Sequence, residues 1–135
     1  TGLGTWRYDP ATDLVHFDER MRAIWGESEG AAALSLSQVL ARVHPEDRSR
    51  VAGAVAAALE PAASGRYAVE YRLVWNDGTL RWLMANGQTQ FAGEGSARRA
   101  VGFFGTALDI TERKQTEDAL RASEAHLAAI FAEAE

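Results

Sequence analysis

Three histidines, His16, His44 and His126, are the side chains best suited to proton transfer or metal ligation near neutral pH, and they are scattered along the chain. None has metal-ligand spacing to another, and no nucleophile–base pair is visible. There is no cysteine. Disulfides, thiolate metal sites and cysteine nucleophiles are therefore excluded within this chain. His44 precedes Pro45 and is expected to satisfy local backbone; His16 is expected on the surface of an early hairpin. Gly93-Glu94-Gly95 reads as a turn, because no helix follows it to hold a phosphate. Catalysis is not expected. The informative side chains lie at one junction instead: Asp109, Thr111 and Arg113. The Asp109 carboxylate can accept backbone N–H bonds of a first helical turn and can pair with Arg113 at i+4. A cap is worth about 0.5–2 kcal/mol and an exposed ion pair about 0.3–0.5 kcal/mol, so the cap should dominate. The Thr111 hydroxyl can add a second bond. Such a joint holds a helix at a fixed angle to a strand.

The elements that must position this joint follow from pattern. Thr5 to Tyr8 and Leu14 to Phe17 alternate as strands, with Asp9-Pro10 opening the turn between them. Asp18 can cap a short helix through Trp25, ended by Gly26. Gly30 to Ala33 reads as a linker, and Ser35 or Ser37 can cap a second short helix ending near Val43. His44-Pro45-Glu46-Asp47 opens a longer helix, with acids at its positive end and Val51, Val55 and Leu59 on one stripe. Tyr67 to Trp75 alternates, Asn76-Asp77-Gly78 is a hairpin turn, and Leu80 to Phe91 and Arg99 to Leu108 follow as strands. The expected fold class is α+β: a five-stranded antiparallel sheet with helices on one face and a C-terminal helix. That last helix begins near Glu112, where Asp109 and Glu112 have capping-box spacing. Thr116, Leu120, Ser123, Leu127, Ile130 and Ala134 form a short heptad seam with polar gaps.

Length, 135 residues, suits one domain; 47% hydrophobic and 24% charged residues suit one sizeable core. No apolar run is long enough to span a bilayer, and none reads as a signal peptide. The net charge of −5 argues against a nucleic-acid partner. Arg98-Arg99 reads as a solvated loop.

The order of elements, Val43-His44-Pro45-Glu46-Asp47-Arg48, Glu70-Tyr71-Arg72-Leu73 with Asn76-Asp77-Gly78, Trp82, and Asp109-Ile110-Thr111 together resemble a PAS domain with its C-terminal segment. The resemblance covers nearly the whole chain. It implies a sensory domain over 1–111 and a signalling helix over 112–135 leading towards a following domain. Arg121-Ala122-Ser123-Glu124 with Ile130-Phe131 resembles the start of another such domain, so the expectation is a piece of a longer sensory protein. Such proteins are often histidine kinases, and sometimes cyclic-dinucleotide enzymes or transcription regulators. The kinase nucleotide motifs are missing here, and His126 is followed by Leu127 rather than the acid usual after a phosphoacceptor.

The resemblance places a pocket between the inner sheet face and the longer helix. Strand parity assigns Tyr67, Val69, Tyr71 and Leu73, then Leu83, Ala85 and Gly87, then Phe103, Gly105 and Ala107, with Val51 and Val55 opposite. Space could open over Ala85, Gly87, Gly105 and Ala107, or Tyr67, Tyr71, Phe103 and Trp25 could fill it. Two tyrosine hydroxyls are the only polar atoms in this set, so a ligand should be apolar or aromatic with one or two polar atoms. The cofactor is unknown. Cysteine-linked flavin and thioester chromophores are excluded; flavin held without a covalent bond stays open. Haem is not expected, since Arg48 to Leu59 contains no histidine. On the outer face, Trp82, Met84, Phe104 and Leu108 form an apolar patch. With Leu120 and Leu127 it suggests a homodimer, alongside contacts to other domains and none directly to a membrane. The expected function is a cytoplasmic sensory or relay domain of a histidine-kinase type protein. The alternatives are a ligand-free dimerisation module, or a small hollow enzyme such as a cyclase or isomerase. The last would want a buried acid or histidine on the inner face, and the inner set has none.

Overall fold

The computed structural model describes residues 2–26 and 33–133. Six strands form one antiparallel sheet: β1 (Gly4–Asp9), β2 (Leu14–Phe17), β3 (Ala33–Leu34), β4 (Arg66–Val74), β5 (Leu80–Ala92) and β6 (Arg99–Asp109). Their order is β3-β2-β1-β6-β5-β4. The expected five strands are present, and the sixth is the two-residue β3. It lies where a linker was expected over Gly30–Ala33, of which only Ala33 is among the described residues. Ala33 pairs with His16 and Leu34 with Val15, a contact too short to leave an alternation signal.

Among the described residues there are four α-helices: α1 (Glu19–Ile24), α2 (Leu36–Arg42), α3 (Pro45–Leu59) and α4 (Thr111–Glu133). Local chemistry sets each start. Asp18 accepts the Met21 amide, Ser35 and Gln38 form a reciprocal capping box, and His44 Nδ1 accepts the Glu46 amide. His44 thus has the backbone role expected of it. The Arg48 guanidinium donates to the carbonyls of Leu40, Ala41 and Val43, closing the C-terminal end of α2 where cations are favoured.

The buried core lies between the sheet's inner face and α1–α3. Tyr67, Val69, Tyr71 and Leu73 of β4 alternate into it, as do Leu83 and Ala85 of β5 and Phe103 and Ala107 of β6. Met21, Ile24 and Trp25 enter from α1 and its end, and Val51, Val55 and Ala58 from α3. The Asn76-Asp77-Gly78 hairpin forms, with Gly78 at φ 90° and Asp77 Oδ1 accepting the Thr79 amide. One cross-strand row decides how the inner face is filled. Trp6 pairs with Gly105, Gly105 with Gly87, and Gly87 with Tyr67. The Trp6 indole lies over both glycines and meets Tyr67 edge-on at 5.8 Å.

Candidate functional site

An apolar cavity of about 50 Å³ lies under the helices, against β1, β2, β4, β5 and β6. Of the twelve expected pocket residues, Val55, Tyr67, Tyr71, Ala85 and Phe103 line it. The others do not. Leu73, Leu83 and Ala107 are wholly buried packing residues, and Val51 and Val69 belong to the same core. Gly87 and Gly105 open no space: a Cβ at Gly87 would stand 2.6 Å from the Trp6 indole, and one at Gly105 would meet the Asn86 carbonyl as well as that ring. The rest of the wall comes from Trp6, Tyr8, Val15, Phe17, Met21, Trp25, Leu36 and Val39. Trp25 was expected as a filler. Trp6 and Tyr8 were not assigned, although alternation in Thr5–Tyr8 puts both on one face of their strand.

The cavity holds few polar atoms. The Tyr8 hydroxyl donates to Asp13 Oδ1 at 2.8 Å, and burial with that carboxylate nearby raises its pKa to about 12. Burial also pushes the Tyr67 and Tyr71 phenols upward, so both stay protonated at any physiological pH. The Trp25 indole N–H is buried with no hydrogen-bond partner among the described residues. The residues present do not fit a haem: α3 carries no histidine, and the volume is about a third of the roughly 150 Å³ cavity that takes a single benzene. Among the described residues, no group of three or more histidines and carboxylates could hold a metal ion.

The joint between β6 and α4 is built differently from expectation. Asp109 Oδ1 accepts the Thr111 amide at 2.9 Å and the Thr111 hydroxyl at 2.6 Å. Its Oδ2 accepts from Arg81, at 2.8 Å from Nε and 2.6 Å from a terminal nitrogen. The expected partner Arg113 instead meets Glu70 at 2.9 Å. The helix turns that guanidinium towards β4, while Arg81 sits on the strand beside Asp109. Burial raises the Asp109 pKa, but bonds from Thr111 and Arg81 outweigh it and the net direction is downward. The Thr111 oxygen also accepts the Trp82 amide at 2.9 Å, and the Ile110 amide donates to the Trp82 carbonyl at 2.8 Å. Asp109 therefore caps the helix start, and one hydroxyl ties that start to β5. No reciprocal bond from Glu112 completes a capping box among the described residues.

The outer face is more broken than the expected patch. Trp82 is roofed by the Arg72 guanidinium and by Lys114 of α4, 5.4 and 4.9 Å from the ring centroid. Lys114 and Arg113 both bind Glu70, so α4 is clasped to this face at its first turns. Met84 is half-buried beside Leu108, and Phe104 and Leu108 are exposed. The row Thr5–Thr106–Asn86 runs between Phe104 and Leu108 and makes two apolar spots out of one. From Gln115 through Ala132 every residue of α4 is exposed among the described residues, and Leu120 and Leu127 are more than half exposed. Ala134, expected at the end of the seam, lies outside the described residues.

These features define a class of protein: an α+β module that closes one sheet face over an apolar cavity and runs its last strand into an unpacked helix. The sequence profile of the family described as PAS fold matches residues 14–104, and the chain belongs to that family. It is 33% identical over 130 residues to the sensor protein FixL of Bradyrhizobium diazoefficiens, covering 96% of this chain and 25% of that protein. It is 35% identical over 102 residues to the uncharacterized protein y4lL of Sinorhizobium fredii, covering 74% of this chain and 12% of that one. Its fold superposes with TM-score 0.77 and 32% identity on a sensory box histidine kinase/response regulator from Burkholderia thailandensis, covering 94% of this chain and 91% of that one. The chain thus spans about a quarter or less of the curated relatives it matches. Among the described residues no helix is long and apolar enough to cross a membrane.

Proposed function

We propose that this chain is a non-catalytic sensory and relay domain of a multidomain signalling protein of the sensor histidine kinase type, working in the cytoplasm. A small ligand or a partner changes the packing of the core, and α4 carries that change onward. The observation that carries this reading is the lock Arg81–Asp109–Thr111–Trp82. Phe103 of β6 walls the cavity, and six residues later the same strand ends at Asp109, whose carboxylate fixes the first turn of α4. A shift of β6 therefore moves the helix instead of being lost in a loose joint. Two of the relatives named above, the sensor protein FixL and the sensory box histidine kinase/response regulator, agree with this role. In the full-length parent, Thr111→Val removes both hydroxyl bonds while keeping shape. It should leave the domain folded and cut the response of output to stimulus severely, read as phosphorylation of the downstream partner. An unchanged response would overturn the relay.

The exposed helix supports a second element of the reading, a parallel homodimer. Most helical stability in proteins comes from packing of an apolar face, and on α4 Leu120 and Leu127 lie seven residues apart on one exposed side. The outer-face residues Phe104 and Leu108 would extend that contact on the sheet.

A further inference from the structure

The unpaired indole of Trp25 says what the cavity selects. Every described side chain lining the cavity is uncharged, so a charged guest would lose its hydration with no counter-ion among them to replace it. Trp25 is 1% exposed, and among the described residues its Nε1–H is a donor stripped of water and left without an acceptor. The phenol of Tyr71 interacts with the same indole but does not stand in hydrogen-bond geometry to it. The Arg42 guanidinium lies 5.5 Å from the indole centroid, which draws electron density from the ring and makes its N–H a stronger donor. Apolar surfaces of Val15, Ala85 and Phe103 complete the enclosure.

We propose that the cavity binds a compact neutral molecule with an apolar body and one unhindered hydrogen-bond acceptor, such as a small nitrile, ketone or aldehyde, anchored on Trp25 Nε1–H. By volume it would have about two to four non-hydrogen atoms. This rests on the cavity being the sensing site and adds the chemistry it selects. A purely apolar guest leaves the donor unpaired. A single water satisfies the donor but leaves most of the wall without dispersion contacts.

The test uses acetonitrile as the polar probe and xenon as the apolar one on the 135-residue chain, followed through the tryptophan indole resonances by NMR. The Trp25 signal is identified by its loss in Trp25→Phe. Acetonitrile should shift that signal saturably. Its affinity should fall about tenfold in Trp25→Phe, as expected for loss of one buried hydrogen bond, with xenon affinity unchanged. If acetonitrile fails to move the Trp25 signal in the unaltered chain, the proposal is overturned, whatever the variant's folding. Equal loss of both probes in Trp25→Phe would also overturn it, since shape alone would then explain binding. Failure of both probes while Thr111→Val still uncouples the parent would sink the ligand class and leave the relay standing. The reverse pair of results would sink the relay and leave the ligand class.

Discussion

Asp47 shows how one carboxylate ties α3 to the sheet. Its Oδ2 accepts the Arg72 amide at 2.9 Å and Arg72 Nε at 3.0 Å, and its Oδ1 accepts a terminal guanidinium nitrogen at 2.7 Å. Glu46 and Arg50 are the other charges facing this pair. Asp47 is buried, and the Arg72 bonds pull its pKa down to about 2 despite the opposing effect of burial. The folded value lies below the unfolded one, so the stabilisation is complete above pH about 4 and fades as pH falls towards 2. It amounts to about 2 kcal/mol. Urea unfolding between pH 5 and 2 should therefore show Asp47→Asn less stable than the parent chain at the upper end. The difference should shrink towards the lower end, and a gap independent of pH would show that Asp47 acts through shape alone. The sequence around Asp47 already marked a helix start, because proline and acids at an N-terminus act locally. Arg72, its partner 25 positions away, was not legible, since nothing local links the two. Asp109 repeats the lesson. Its capping role followed from its place before the helix, whereas its ion pair was assigned to Arg113 within reach in sequence. The real partner, Arg81, is adjacent only because β5 pairs with β6.

The inner row of the sheet works as one element. Strand parity put Tyr67, Tyr71 and Phe103 on the inner face, and they are there, because alternation is a property of each strand alone. Register between strands is not, so the fit of Trp6 over Gly105 and Gly87 could not be read from spacing. Small residues looked like room, and an aromatic ring from the first strand took the room. Gly87 keeps ordinary extended backbone, so only sterics exclude a larger residue there. Gly87→Ala should destabilise by about 1–3 kcal/mol through overpacking against the indole. In a Trp6→Leu background the same substitution should cost clearly less, a coupling that a double-mutant cycle in chemical denaturation would resolve. Additive effects would mean that the indole is not what Gly87 makes way for. The same element bears on the cavity: Trp6 packs on Phe103 at 4.7 Å, so an altered row would move the wall that β6 presents to a guest.

At the scale of the whole molecule, α4 is the part whose stability the rest does not explain. Twenty-three residues at 1.5 Å rise make a rod of about 35 Å, and only its first turns touch the sheet. Arg113 and Lys114 clasp Glu70 there, but these are partly exposed pairs, and such pairs contribute little each. Beyond them, Leu120, Leu127, Ile130 and Phe131 are 59%, 51%, 47% and 71% exposed, more apolar surface than a lone helix in water gains from. A second copy in parallel would bury Leu120 and Leu127 against their counterparts, and would place two α4 helices side by side for whatever follows. The seam is short, with Thr116 and Ser123 interrupting it, so association should be weak in this chain by itself. Sedimentation equilibrium should show a monomer–dimer balance shifting with concentration, and far-ultraviolet circular dichroism should gain helicity along with it. Leu120→Ser with Leu127→Ser should abolish both changes while leaving the thermal transition of the sheet core in place. A strict monomer at the highest concentrations, or association that survives the double substitution, would remove the helical seam as the contact. Persistence of the dimer would then point to the outer-face spots at Phe104 and Leu108, which Phe104→Ser would separate from the seam in the same measurement.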